Sequence, residues 1–256
     1  MKGNKMLPIE EMGKKDLENI KMLCFDSDGV TVEKGTKFLD SGWTITQDLS
    51  PEMGNKMLKL KDKFWINVTS GRNLEFLKKR YELVLGDKFS LQAEIGNIGW
   101  YKDGEFRELW SEYELERVEK IRKILEEKLL RMDDFIAFEE KEMIITIHAK
   151  NEIELINKTV KENDEKGWLY CWWNGEAYDI GPKRFNKASG LKKMADILGI
   201  NMDEIMIVGN GINDRDMRNG VGIDVSTDPK SLKADFWTEG EEVGGEKLVD
   251  RILKLV

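Results

Sequence analysis

Met22, Leu23, Cys24 and Phe25 form an unbroken apolar run that leads straight into Asp26, Ser27, Asp28, Gly29 and Val30. A run without alternation suits a strand covered on both faces, as in a parallel α/β sheet. Such sheets present ligands at the carboxyl ends of their strands, which is where Asp26 and Asp28 fall. Residues two apart on an extended chain point the same way, so the two carboxylates share a side. Carboxylates that close repel unless a cation lies between them or one keeps a proton. Gly29 allows an immediate turn. Taken alone, the stretch also describes an ordinary strand ending in an acidic turn, and the remainder of the chain has to choose.

Two further apolar runs end in the same way. Phe64–Thr69 leads into Ser70-Gly71-Arg72, where a helix carrying Leu74, Leu77 and Tyr81 on one side is expected to begin. Glu204–Val208 leads into Gly209-Asn210-Gly211-Ile212-Asn213-Asp214. Around them the periodicity predicts a short helix at Glu10–Ile20, a hairpin within Val30–Thr46, and a helix from Pro51 to about Lys63 with Ser50 as its cap. A strand is expected at Phe89–Glu94 and a hairpin at Trp100–Leu109, turning at Lys102-Asp103-Gly104. Val221–Val225 and Phe236–Thr238 read as strands and Gly245–Val256 as a closing helix.

Between these segments the texture changes. Ser111–Met132 reads as a charged helix with Leu115, Val118, Ile121, Leu125 and Leu129 at helical spacing. Strands at Phe135–Phe138 and Met143–Ala149, a helix at Asn151–Asp164 and a hairpin of Trp168–Trp173 with Glu176–Ile180 complete an αββαββ unit. The expected architecture is therefore a doubly wound, Rossmann-like parallel sheet built from residues 1–109 and 183–256, with an α+β domain of residues 110–182 inserted as a cap.

A chain of 256 residues with 40% hydrophobic residues can bury a full core. No apolar segment approaches the ~20 residues that span a membrane, and residues 1–20 lack a signal core, so a cytoplasmic protein without membrane partners is expected. Cys24 and Cys171 are too few for a disulfide framework or a zinc site. The net charge of −8 argues against nucleic acid but leaves room for a small phosphorylated substrate in a local cationic pocket. His148, the single histidine, lies in a strand far from any nucleophile elbow and reads as structural or surface-exposed. The oligomeric state is not readable.

If the three strands are parallel, their polar turns converge on one edge, and Lys187 opens the helix before the third. Asp26, Asp28, Ser70, Lys187 and the 210–214 turn then offer carboxylates, a hydroxyl, backbone N–H groups and one cation, a set that fits a phosphate ester with Mg²⁺. These four segments, in this order and with an insert between the second and third, resemble the haloacid dehalogenase superfamily of aspartate-nucleophile phosphatases, in particular its sugar-phosphatase branch. The resemblance implies that Asp26 is the nucleophile and Asp28 the general acid and base. It implies that Ser70, the turn at Gly71 and Lys187 bind the phosphate. Mg²⁺ would be held by Asp26, the Asp28 carbonyl and the 210–214 turn, with Asn210 and Asp214 as ligands and Asn213 beside them. The implied reaction is hydrolysis of a sugar or organic-acid phosphate.

One departure stands out. The family's last motif usually carries an acid where this chain has Asn210. A protein that binds a phosphorylated ligand or a partner without efficient turnover is therefore the alternative. Glu94-Ile95-Gly96-Asn97 resembles a segment near the substrate entrance in that branch. Lys183 and Arg184, at the second hinge, could meet an anionic substrate. Trp168, Tyr170 and Trp172 are expected on one face of their strand and Trp173 on the other.

Overall fold

The computed structural model describes residues 6–33, 36–39, 42–45, 48–238 and 243–256, without the side chains of 36–39, 42–45 and 212. The chain runs β1 (Leu7–Pro8), α1 (Lys14–Leu17), β2 (Met22–Asp26), β3 (Thr36–Leu39), β4 (Gly42–Ile45), α2 (Pro51–Leu60), β5 (Trp65–Thr69), α3 (Leu74–Arg80), β6 (Phe89–Ala93), β7 (Ile98–Tyr101) and β8 (Gly104–Arg107). It continues through α4 (Glu112–Leu129), β9 (Phe135–Glu139), β10 (Ile145–Ala149), α5 (Glu154–Asn163), β11 (Leu169–Trp173) and β12 (Ala177–Pro182). It ends with α6 (Lys187–Leu198), β13 (Ile205–Gly209), β14 (Ile223–Ser226), β15 (Phe236–Trp237) and α7 (Gly245–Leu255).

The large sheet has the order β1-β15-β14-β13-β2-β5-β6-β7-β8. Its strands are parallel from β1 through β6, and β7 and β8 add an antiparallel edge. β2 lies between β5 and β13, which explains its unalternating sequence: all five residues are buried. Leu23 and Phe25 face the layer of α2 and α7 with Met57, Leu60, Leu248 and Ile252, whereas Met22 and Cys24 face α6 with Leu191 and Ala195. The chain winds from β2 toward β5 and β6, then returns to β13 and winds the other way. The carboxyl ends of β2 and β13 thus form the crevice where such sheets bind ligands.

The second sheet, β11-β12-β10-β9, is antiparallel and packs one face on α4 and α5 through Val118, Ile121, Leu125, Ile147, Ile156 and Ile180. Several expectations shift here. Leu115 is exposed, because Glu114 takes the inward slot of the first turn to meet Ser111 and Arg184. β10 starts at Ile145, not Met143, because the N–H groups of Met143 and Ile144 are taken by the Glu94 carboxylate. The lead segment is a 3₁₀ turn at Ile9–Glu11 followed by α1 rather than one helix. The hairpin expected within Val30–Thr46 is represented by the antiparallel pair β3–β4, with its connecting residues 40–41, and Thr46, outside the described residues.

Candidate active site

Asp26 ends β2, and its Oδ1 accepts hydrogen bonds from the Ser27 N–H and from Lys187 Nζ, both at 2.8 Å. The same ammonium donates to Asp214 Oδ1 at 2.7 Å. Asp214 Oδ2 in turn accepts the backbone N–H groups of Asn210 and Gly211, each at 2.9 Å. Lys187 is the first residue of α6, set there by Asn186, whose side chain caps the helix by accepting from the Ser189 N–H. A cation at a helix N-terminus opposes the helix dipole. Two buried carboxylates offset that here, and Asp214 and Asp26 hold the Lys187 pKa above the ordinary lysine value despite burial. Burial, reinforced by Asp214, pushes the Asp26 carboxyl up to about 7, against the pull of Lys187.

Asp28 is gripped by two guanidinium groups. Arg80 Nη1 lies 3.1 Å from its Oδ1 and Arg72 Nε 3.6 Å from its Oδ2. Its carbonyl accepts Asn210 Nδ2 at 2.9 Å. Arg80 also donates to Ser27 Oγ at 2.9 Å, and the Tyr81 hydroxyl bridges Ser27 and Thr31 at 2.8 and 2.5 Å. Arg80 was not legible as a site residue: it ends a Lys78-Lys79-Arg80 run that has the look of a solvated helix terminus. Arg72, at an expected helix start, carries more than a structural load, since it joins Asp28 to Glu139 of β9 at 3.0 Å.

Thr69 pairs in register with Asp26, so Ser70 and Gly71 lie beside the nucleophile candidate. Helix α3 begins four residues after Ser70, at Leu74 with Asn73 as cap, rather than at Ser70-Gly71-Arg72. The Ser70 N–H is spent on the Gln92 carbonyl and the Arg72 N–H on Ser70 Oγ. An anion here would therefore meet the loop at Gly71 and the side chains around it, not a helix terminus. Thr69 Oγ1, buried in the strand beside Asp26, makes no hydrogen bond within the described residues.

The cap reaches into this centre. Glu139 Oε2 accepts from Arg72 and, at 2.8 Å, pairs with His148 Nε2, while Oε1 accepts Lys141 Nζ. Burial alone would raise this carboxyl, but His148, Lys141 and Arg72 hold it well below the usual carboxylate range. His148 is thus buried in the cap sheet, not on the surface. Lys141 Nζ also donates to the Gly71 carbonyl at 3.0 Å. Trp172 stacks on Tyr170 at 4.1 Å and Trp173 packs on Tyr178 across the sheet, as alternation requires. Trp168 precedes the strand and sits edge-on to Tyr113 instead.

Three sequence-derived candidates fall elsewhere or act differently. Lys183 is exposed and donates to the Gly167 carbonyl, lining a hinge pocket of about 500 Å³ with Trp168 and Arg184 rather than the carboxylate centre. Glu94 is fully buried and holds cap backbone rather than an entrance. Asn213 lies on the 3₁₀ segment after Gly211, next to the Asp214 turn.

Among the described residues no three His, Cys, Asp or Glu side chains group to hold a metal by themselves. The donors at the centre are instead a mixed oxygen set: the Asp26 and Asp214 carboxylates, the Asp28 carbonyl and the Asn210 carboxamide. Oxygen-only donors fit Mg²⁺ and not a thiophilic metal. Asn210 presents its amide nitrogen to the Asp28 carbonyl, so to ligate it would have to turn its oxygen inward.

A doubly wound sheet with a lysine-bridged aspartate pair at its crevice, roofed by a cap, defines an α/β enzyme built around a buried aspartate. The chain belongs to the haloacid dehalogenase-like hydrolase family, whose sequence profile matches residues 73–231. It is similar in structure to the C-terminal domain of Candida albicans trehalose-6-phosphate phosphatase, with a TM-score of 0.71 and 16% identity over 100% of this chain and 99% of that one. A haloalkanoate-superfamily phosphatase of Bacteroides thetaiotaomicron aligns with a TM-score of 0.62 and 19% identity over 92% and 95% of the two chains. A haloacid dehalogenase-like hydrolase of B. subtilis aligns with a TM-score of 0.63 and 16% identity over 92% and 99%. At these identities the likeness concerns the fold.

Proposed function

We propose that this hydrolase is a Mg²⁺-dependent phosphatase of a small phosphorylated metabolite, a sugar or organic-acid phosphate, with a core of residues 1–109 and 183–256 and a cap of 110–182. The observation that carries the reading is the Lys187 ammonium shared by Asp26 and Asp214, with Asp28 two residues beyond Asp26 and the Ser70-Gly71 loop alongside. An Asp26 oxygen attacks phosphorus and the bond to the leaving oxygen breaks, giving an aspartyl-phosphate. Asp28, on leaving its contacts with Arg72 and Arg80, takes up a proton and gives it to the leaving alkoxide. In the second half it takes a proton from water, whose oxygen attacks phosphorus and frees Asp26. Lys187, on Asp26 and Asp214, and Arg72, beside Asp28, would bring positive charge to the transferred group, while Arg80 orients Asp28. The buried cap contacts exclude water between the half-reactions. Asp26, the Asp28 carbonyl, Asp214 and a turned Asn210 would hold Mg²⁺, whose chemistry when bound is to supply positive charge for phosphoryl transfer. The similarity to a trehalose-6-phosphate phosphatase domain supports a sugar phosphate as substrate class.

Release of phosphate from para-nitrophenyl phosphate, with and without Mg²⁺, tests the reading. Turnover should require Mg²⁺ and fall on the order of 10³-fold or more in Asp26→Asn. The grip of Asn210 on the Asp28 carbonyl favours one rival, a ligand-binding protein without turnover. A phosphate-induced thermal shift with no product from any phosphorylated metabolite would select it. Under the phosphatase reading, Asn210→Asp should lower the Mg²⁺ concentration for half-maximal rate by roughly tenfold, since it adds a full charge to the oxygen set.

A further inference from the structure

The turn Glu94-Ile95-Gly96 lies in a conformation that its sequence does not favour. Glu94 and Ile95 have φ of +48° and +58°, and Gly96 has +86°. For a β-branched residue the left-handed region is a strained choice, kept only where the surroundings impose it. Those surroundings come from four directions. The Glu94 carboxylate, wholly buried, accepts three cap N–H groups: Oε1 from Glu142 at 2.7 Å, and Oε2 from Met143 at 2.9 Å and Ile144 at 3.1 Å. Its own N–H donates to the Arg72 carbonyl at 2.9 Å, and that of Ile95 to the Ser70 carbonyl at 3.0 Å. The Ile95 side chain packs with Ile144 and Tyr170 of the cap and with Trp110. Gly96 lies so close to α6 that a Cβ would come within 2.4 Å of the Asn186 carbonyl oxygen, one residue before Lys187.

We infer that Glu94 is a positioning residue whose carboxylate latches the cap shut and, through this turn, sets the Ser70 loop and the start of the Lys187 helix. The inference rests on the phosphatase reading for its catalytic consequence. Three donors on two oxygens need a carboxylate; a carboxamide offers one oxygen and turns N–H groups against N–H groups. When the cap lifts, Glu94 loses its donors and Ile95 loses Ile144 and Tyr170, so nothing holds the left-handed turn. Relaxation of that turn displaces N–H groups that fix the Ser70 and Arg72 carbonyls. The same cap tip carries Glu139 and Lys141, which hold Arg72 and the Gly71 carbonyl. Closing the cap and completing the phosphate loop are then one event.

Amide hydrogen exchange and steady-state kinetics on the full chain test this with Glu94→Gln, and with Glu94→Asp, which keeps the charge but shortens its reach. In Glu94→Gln, exchange at the amides of 142–144 should accelerate at least tenfold while amides of β2 keep their rates. The kcat for para-nitrophenyl phosphate with Mg²⁺ should fall at least tenfold with KM within threefold, and Glu94→Asp should shift both in the same direction by less. Unchanged exchange at 142–144, equal acceleration at β2, or accelerated exchange with unchanged kcat would each overturn the assignment. If the unaltered protein does not hydrolyse the aryl phosphate, the phosphatase reading fails, and the exchange data alone still decide whether Glu94 latches the cap.

Discussion

Lys187 is where removal of a single atom group does most damage. It is almost entirely buried and holds two carboxylates apart by lying between them. Lys187→Met leaves Asp26 and Asp214 facing each other in a low-dielectric site, a change of the kind that costs about 3–5 kcal/mol. We expect that loss in urea denaturation, together with loss of turnover; a variant as stable as the parent would mean that the bridge does not form. Arg80 makes a different case. One terminal nitrogen, Nη1, donates to Asp28 and Ser27 at once, and the planar guanidinium that carries it lies over the Phe76 ring at 4.6 Å, a stacking that a lysine cannot copy. Arg80→Lys should therefore lower kcat for an aryl phosphate by roughly tenfold or more while leaving the melting temperature within a few degrees. Equal activity would remove Arg80 from the site. The placement of Asp26, Asp28, Ser70 and Lys187 was legible because each stands where an apolar run ends or a helix begins. Arg72 and Arg80 were not, because a basic residue at either end of a helix reads as solvated until the neighbouring strand turns are placed.

The cap sheet shows what periodicity can and cannot say about an element. Its helices were legible as stripes of Val118, Ile121, Leu125 and Ile156, Val160, since burial against a sheet demands that spacing. Its polar face was not, because Glu139, Lys141 and His148 are ordinary strand and turn residues until Arg72 approaches from the core. Glu139 is the hinge of that arrangement: burial opposes its charge, yet a hydrogen bond with His148 and the charges of Lys141 and Arg72 keep its pKa depressed. A depressed carboxyl stabilises the folded state above its unfolded pKa, and that contribution fades as pH falls toward the folded value. Glu139→Gln removes the charge that Arg72 and Lys141 need and should cost on the order of 3 kcal/mol at pH 7. Thermal melts from pH 7 downward should show the gap from the parent narrowing below about pH 4. A gap independent of pH would mean that packing, not charge, accounts for the loss.

At the scale of the molecule, the parallel centre was legible because β2, β5 and β13 are apolar throughout, while the ends of the sheet were not. β1 has only two residues, and β7 and β8 read as an isolated hairpin around Lys102-Asp103-Gly104, so nothing local announces that they extend the same sheet. The outer strands also carry an unfavourable contact. Asp235 precedes β15 and Asp224 lies in β14, their backbones joined by Asp235 N–H to the Asp224 carbonyl at 3.1 Å and their carboxylates each accepting from the other's N–H. Arg218 pairs with Asp224, leaving Asp235 as the surplus charge. Burial, then the hydrogen bond and charge of Asp224, push the Asp235 carboxyl from 3.8 up to about 6. The folded state thus holds this proton more tightly than the unfolded chain does, so stability is greatest below the unfolded value and declines as pH rises through 6. Asp235 is largely exposed, and water screens the pair, so the penalty above pH 7 is about 1 kcal/mol and not the ~3 that such a shift would carry in a dry site. Asp235→Asn keeps an oxygen for the Asp224 N–H and can donate to the Asp224 carboxylate. It should raise the melting temperature by about 2–4 °C at pH 8 and leave it unchanged near pH 4, where the parent carboxyl is already protonated. A gain of equal size at both pH values would show that the two aspartates do not repel across β14 and β15.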